Sequence, residues 1–342
     1  MQKQICQYLW RGVTLDTKDR ETYDCRHKTR VLNRAPTFTL PPIWNYDGSS
    51  TRQASTENSV VHLIPVTTYG HPDKNLRDNG AILTLCGTSL QGDTIMSTVE
   101  KLSNDEKKLM LGFELECFMI DNNTNLPVGW DGKNLQCTDH YCSTCTVVDM
   151  RVQNFLNEVM TTGLEMGLSL TGHNVEVAYG QIELQVCDFA LKACYDLEVL
   201  KYLMEFIGRK PEYNVSIDYR CKPLGPNHNG SGMHTNASTE EMRVKNDPEL
   251  TRSIVERLGM GHFDAMKIYG FDNEQRLTGL HETSSFTEFT YAQDSRAVSV
   301  RLQSKYDPIT KQIVPDATYF EDRRPNPTAD QFLIACHIYD HV

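Results

Sequence analysis

Hydrophobic and polar positions along the 342-residue chain change their spacing several times, and the changes mark out the expected elements. Gly112-Phe113-Glu114-Leu115-Glu116-Cys117-Phe118-Met119 alternates, which predicts a half-buried strand. Phe113, Leu115 and Cys117 then share one face, with Glu114 and Glu116 on the other. The same alternation sets Glu176 in Asn174-Val175-Glu176-Val177, Glu183 in Gln181-Ile182-Glu183-Leu184-Gln185-Val186, and His234 in Met233-His234-Thr235-Asn236. One Glu-x-Glu strand is most simply a solvated face, because carboxylates about 7 Å apart repel unless water or a cation lies between them. Several such strands make a site.

Residues 1–92 read as β-rich, with runs such as Tyr8-Leu9-Trp10 and Ala81-Ile82-Leu83-Thr84-Leu85-Cys86 separated by Asp, Asn, Gly and Pro turns. Within them, Pro41-Pro42-Ile43-Trp44-Asn45-Tyr46-Asp47-Gly48-Ser49-Ser50-Thr51 reads as a loop rather than a strand. From Asp93 the positions of Ile95, Val99, Leu102, Leu109 and Met110 predict an amphipathic helix, interrupted near Ser103-Asn104-Asp105. A domain boundary is therefore expected at about Gly92, dividing the chain into 1–92 and 93–342. Further helices are expected over 147–167, 189–208 and 250–269, and further strands over 213–218 and 297–302. Strands followed by helices, with antiparallel-style alternation, give an α+β fold.

Composition narrows the partners. The formal net charge of −11 argues against a protein that grips a phosphate backbone, so no nucleic acid is expected. No apolar run approaches the roughly 18–20 residues of a membrane helix, and Met1-Gln2-Lys3-Gln4-Ile5-Cys6 lacks the apolar core of a signal peptide. Eleven scattered cysteines read as reduced thiols of a cytosolic protein. Cys137, Cys142 and Cys145, with Asp139 and His140 between them, offer zinc-ligand types at part of the usual spacing, or a redox pair; a plain thiol-rich loop is the competing reading.

If the polar strand faces converge, Glu114, Glu116, Glu176, Glu183, His234 and Glu321 share one cavity. Such crowding of buried charge requires protonated glutamates or divalent cations. An oxygen-dominated set with one nitrogen suits Mg2+ or Mn2+ better than Zn2+. Two or three such ions beside a nucleotide are the usual apparatus of phosphoryl transfer. Arg276, Arg296, Arg301, Arg323 and Arg324 are at hand for phosphate and carboxylate groups. No Gly-x4-Gly-Lys-Ser/Thr loop and no Rossmann fingerprint is present, so ATP is expected to be held by metals and arginines.

Seven motifs in order carry a family resemblance: Trp44-Asn45-Tyr46-Asp47-Gly48-Ser49-Ser50-Thr51, Gly112-Phe113-Glu114-Leu115-Glu116, Gly172-His173-Asn174-Val175-Glu176-Val177, Gly180-Gln181-Ile182-Glu183-Leu184-Gln185, Lys222-Pro223 through Asn229-Gly230-Ser231-Gly232-Met233-His234-Thr235-Asn236, Arg276-Leu277-Thr278-Gly279-Leu280-His281-Glu282-Thr283 and Tyr319-Phe320-Glu321-Asp322-Arg323-Arg324-Pro325. Over nearly its whole length the chain resembles glutamine synthetase of the eukaryotic (type II) kind. The resemblance implies a small N-terminal β-grasp domain and a C-terminal catalytic α+β domain with a curved antiparallel sheet. It implies ATP-dependent ligation of ammonia to the γ-carboxylate of glutamate, in a cytoplasmic homo-oligomer of stacked rings with active sites between ring neighbours. By position, Glu116, Glu176 and Glu183 match the ligands of the metal nearest glutamate, and Glu114, His234 and Glu321 those of the metal nearest the ATP phosphates. Arg276, Arg296, Arg323, Asn229 and Gly230 match glutamate- and phosphate-binding positions; Asn236, Ser238, Arg301 and Tyr319 match nucleotide contacts. Asp47, donated by the adjacent subunit, matches the residue that deprotonates ammonium, and Glu282 matches the flap carboxylate that closes over the intermediate.

The chain departs from the family at several positions. Met110 stands where an aromatic near the adenine site is usual, His228 replaces a tryptophan, and Cys142-Ser143-Thr144-Cys145 replaces glycine-rich sequence. Residues 303–318 form a longer segment without the expected Pro-Arg. Two other activities fit the same framework: a ligase joining a larger amine to glutamate, and a silent structural or regulatory assembly. Asp47 and Glu282 argue against the first; retention of all six metal-ligand types argues against the second.

Overall fold

The computed structural model describes residues 3–16, 18, 20–33, 40–133, 140–143 and 149–342. Cys137 and Cys145, and with them the thiol cluster, lie outside the described residues. The strands are β1 (Lys3–Leu15), β2 (Glu21–Asn33), β3 (Trp44–Asp47), β4 (Val60–Gly70), β5 (Ile82–Thr88), β6 (Met110–Asp121), β7 (Leu126–Pro127), β8 (Leu170–Val175), β9 (Gln181–Phe189), β10 (Val215–Asp218), β11 (Met233–Ser238), β12 (Tyr291–Gln293), β13 (Val300–Asp307) and β14 (Gln312–Asp322). The helices are α1 (Lys74–Asp78), α2 (Thr94–Leu102), α3 (Met150–Met166), α4 (Ala190–Gly208), α5 (Glu240–Lys245), α6 (Pro248–Met260), α7 (His262–Ile268), α8 (Asn273–Arg276) and α9 (Gln331–His341).

The first five strands form one sheet in the order β2-β1-β5-β4-β3, in which β1 and β5 run parallel and the other pairs antiparallel. The remaining strands form a second sheet along the path β12-β13-β14-β11-β6-β9-β8, with β7 and β10 also on β6. This second sheet is antiparallel except where β12 meets β13. The architecture is thus the expected α+β pair of a small β-grasp sheet and a larger curved sheet.

The apolar face of the second sheet (Phe113, Leu115, Cys117, Ile182, Leu184 and Val186) is buried against α3 and α4. A sheet covered on one side leaves its other face for polar residues, which is where β6 sends its glutamates. α4 buries side chains around most of its circumference, because α2, α9 and the first sheet also pack on it. Its two buried carboxylates are satisfied: Asp196 accepts from Tyr69 at 2.6 Å and from Lys192 at 2.5 Å, and Glu198 pairs with Arg11 of β1 at 2.5 Å. Arg11 also meets Asp330 at 2.8 Å, so the first sheet is pinned to α4 and the start of α9 by one buried cation between two carboxylates.

Three expectations need correcting. The Pro41–Thr51 stretch was expected to be loop throughout, but Trp44–Asp47 pairs with Val60–Leu63 as β3, its alternation hidden by the neighbouring prolines and Asp-Gly. Leu109 and Met110 do not continue the first helix: α2 ends at Leu102 and Met110 opens β6. The helix expected over 250–269 is two, α6 and α7, meeting at Gly261, where a Cβ would stand 2.6 Å from the His341 ring and 3.1 Å from the His337 ring.

Candidate active site

Register across the second sheet brings the ligand-type residues together. Glu116 lies opposite Glu183 on β9, Glu114 opposite Gln185 on β9 and His234 on β11, and Asn236 opposite Glu321 on β14. Glu176 follows the end of β8, where Asn174 lies opposite Glu183. Two groups result, each with ligand atoms within 4.8 Å of one another: Glu116, Glu176 and Glu183, and Glu114, His234 and Glu321. Like charges opposite one another on a sheet destabilise it, so this face is arranged for something other than stability.

The first group is all carboxylate. Burial, then Glu176 and Glu183, push the Glu116 carboxyl well above its ordinary range. Burial raises Glu176 to about 7 and Glu183 to about 8, with Glu114 adding to the latter. Their hydrogen-bond donors are neutral: Gly232 N–H (2.8 Å) and Gln181 (3.3 Å) to Glu116, Asn174 (2.7 Å) to Glu176 and Gln185 (2.5 Å) to Glu183. The second group is supported differently. Glu321 is fully buried between Arg323 at 2.6 Å and Arg301 at 2.5 Å, and Glu114 accepts from Asn236 at 2.8 Å. His234 Nδ1 lies 3.3 Å from Glu114 and 3.5 Å from Glu321. Burial and then Arg323 hold the imidazole well below its usual pKa, so it is neutral and keeps a lone pair for a cation. Gly232 is required beside it, because a Cβ there would sit 2.8 Å from His234 Nε2.

The donor set tests well for divalent metal. Three carboxyls whose pKa values are raised by burial and by one another are relieved by a hard cation, and the second group adds oxygen donors and one nitrogen. Two closely spaced oxygen-rich positions suit Mg2+ or Mn2+.

The remaining expected residues are placed unevenly. Asn236, Ser238 and Tyr319 line a cavity of about 390 Å³ together with Glu114 and Met110, whereas Arg301 points instead at Glu321. Arg323 also donates to the Glu282 carbonyl at 3.2 Å, and Arg296 pairs with the Glu282 carboxylate at 3.6 Å. His281 and Glu282 both have left-handed backbone, with φ of 53° and 59°, which non-glycine residues adopt at a cost. Arg276 is buried and gives Nη2 to the carbonyls of Arg323, Arg324 and Pro325. Burial lowers its pKa to about 10, so it remains a cation at neutral pH. Asn229 and Gly230 lie in the loop before β11, which is tied to the carboxylates by Gln181: its amide reaches both Gly230 O (3.2 Å) and Glu116. Asp47 is not joined to the cluster by any hydrogen bond or ion pair among the described residues. It accepts from Ser49 Oγ (2.6 Å), Ser50 Oγ (2.7 Å) and Ser49 N (3.0 Å), and those hydroxyls lower its pKa to about 2.

Sequence reasoning passed over several residues. Asn174 and Gln185 lie two positions from Glu176 and Glu183, so strand periodicity already put them on the same face. Tyr141, half exposed, hydrogen-bonds Arg296 and feels Glu176; nothing in its local pattern marked it. Arg243 lines the cavity and donates to the carbonyls of Ser238 and Lys108, each at 2.7 Å.

An antiparallel sheet whose polar face gathers five carboxylates and one imidazole, flanked by arginines and a cavity, has the donor set of a divalent-metal enzyme site of the class that handles phosphates. The family model "Glutamine synthetase, catalytic domain" matches residues 94–248. A putative glutamine synthetase of Acanthamoeba polyphaga mimivirus is 33% identical over 99% of this chain and 94% of that one. A glutamine synthetase of Bradyrhizobium diazoefficiens is 32% identical over 99% and 96% respectively. The chain belongs to the glutamine synthetase family. The cryo-EM structure of Plasmodium falciparum glutamine synthetase covers 98% of this chain with a TM-score of 0.71; at 18% identity and 72% of that chain's length it speaks for the fold alone.

Proposed function

We propose that this chain is an ATP-dependent glutamate–ammonia ligase, producing glutamine, ADP and phosphate through γ-glutamyl phosphate. The observation that carries the reading is the pair of ligand groups on one sheet face beside the cavity, in a chain of this family. Mg2+ or Mn2+, two to three per site, would be held by Glu116, Glu176 and Glu183 and by Glu114, His234 and Glu321, and would supply charge neutralisation for ATP and the transferring phosphoryl group. Asn236, Ser238 and Tyr319 would line the nucleotide site, with Arg301 behind Glu321. Arg276, Arg296 and Arg323, with Asn229 and Gly230, would hold the glutamate carboxylates and the phosphoryl oxygens. The γ-carboxylate attacks the terminal phosphorus and ADP leaves; ammonia then attacks the acyl carbon and phosphate leaves. Glu282 closes the flap over the acyl phosphate, which water would otherwise hydrolyse. Asp47 of a neighbouring copy, kept anionic by Ser49 and Ser50, attracts ammonium and receives its proton.

A division at about Gly92, assembly in stacked rings and a cytoplasmic location belong to the same reading; among the described residues no helix is long and apolar enough to cross a membrane. The test is γ-glutamyl hydroxamate formation from glutamate, hydroxylamine and ATP with Mg2+ or Mn2+. No product with either ion ends the proposal, and ATP consumption across a panel of amines separates ammonia from a larger amine. The role of Asp47 is tested by mixing Asp47→Ala with Glu183→Gln subunits. Sites shared between copies regain activity in the mixture; sites within one chain do not.

A further inference from the structure

β13 and β14 change register between Leu302 and Gln303: Leu302 lies opposite Phe320, but Gln303 lies opposite Asp316. Residues 317–319 of β14 therefore have no partner on β13 and form a bulge. Bulges bend a strand and re-aim its side chains. Here Thr318 and Tyr319 are turned into the cavity, while across the bulge Gln303 reaches Glu321, its Nε2 3.1 Å from Oε2.

That contact differs from the others Glu321 makes. Oε1 accepts a directed hydrogen bond from Arg323 Nη1 at 2.6 Å. Arg301 Nε lies 2.5 Å from Oε2, but its N–H makes no hydrogen bond, so that ion pair attracts the carboxylate without orienting it. Among the described residues, the aligned donor to Oε2 is the Gln303 amide. A carboxylate only accepts, so the amide nitrogen must face it. Oε1 of the same carboxylate is 3.5 Å from His234, so rotation about the carboxyl bond would disturb the whole Glu114, His234 and Glu321 group.

We propose that Gln303 is a positioning residue for this group, its amide fixing the plane of the Glu321 carboxylate through the β13–β14 bulge. The proposal rests on the ligase reading above. Gln303 does not touch the reacting atoms; it acts through Glu321, as outer partners of metal ligands do.

The test uses the full-length assembled protein. Binding of Mn2+ in the presence of ADP is measured by electron paramagnetic resonance of the free ion, alongside KM for ATP and kcat. Gln303→Met keeps the side chain's length and apolar volume and removes the donor. It is expected to weaken Mn2+ binding and raise KM for ATP, each roughly tenfold, with kcat changed less than about twofold. Gln303→His, which retains an N–H of similar reach, is expected to recover most of that loss. Wild-type affinity in Gln303→Met, or equal losses in the Met and His variants, overturns the proposal. Wild-type protein that binds no Mn2+ and makes no hydroxamate overturns the ligase reading itself, and this inference with it.

Discussion

The two ligand groups sit on one sheet face, yet they handle negative charge in opposite ways. Glu321 is fully buried and meets two arginines, with a neutral imidazole beside it. Glu116, Glu176 and Glu183 are buried with only neutral hydrogen-bond donors among their direct contacts, and all three are pushed toward the protonated form. One group is held in shape by its own chain; the other is held apart by repulsion until a cation or protons arrive. The same residue type therefore stabilises at one point of the sheet and destabilises about two strands away.

This contrast is broken or sharpened most strongly by neutral isosteres. Glu183→Gln and Glu321→Gln are each expected to lower hydroxamate formation by roughly a hundredfold or more, since each removes a metal-ligand charge. Their effects on the metal-free protein should have opposite signs. Above about pH 8, where Glu183 is charged, Glu183→Gln relieves repulsion and raises the melting temperature in EDTA. Glu321→Gln strands Arg301 and Arg323 without their partner and lowers it, in line with the roughly 3–5 kcal/mol cost of breaking a buried pair. Equal shifts of the same sign in a thermal melt would show that the two groups do not differ as described.

Adding metal should have the next largest effect. Millimolar Mn2+ or Mg2+ binds the folded site and not the unfolded chain, so the melting temperature of the wild type is expected to rise by roughly 3–8 °C. The rise should be smaller in Glu183→Gln, where less repulsion remains to be relieved.

Much of this arrangement was legible from periodicity. The alternation around Glu114 and Glu116 fixed which face each side chain takes, and the same argument covered Glu183 and His234. Register was not legible, because which strand lies beside which depends on long-range packing of the apolar face against α3 and α4. For that reason the split of six ligands into two groups needed the family resemblance, and Gln303 escaped notice: its inward reach depends on a bulge that local pattern does not announce. β3 was missed because short strands flanked by proline and Asp-Gly look like turns until a partner strand is known.

The most gradual effect expected is a pH slope, and it comes from the all-carboxylate group. A carboxyl whose folded pKa is raised binds a proton in the folded state after the unfolded chain has released it. For Glu176 at about 7 and Glu183 at about 8, that window opens at the ordinary glutamate value and closes near 8. Their contribution to stability in EDTA is therefore full below about pH 4.5, falls as pH rises through the window, and is flat above it, a total change of up to about 8 kcal/mol. Titration of Glu183 is absent from Glu183→Gln, so the slope in that variant should be visibly shallower between pH 6 and 8, as read by denaturant midpoints at each pH. Mn2+ competes with the same protons, so its affinity should climb over the same interval and level off above it. A metal-free protein whose stability is flat or rising from pH 5 to 8 would mean that the carboxylates are compensated by cationic groups after all, and the contrast between the two halves of the site would fail.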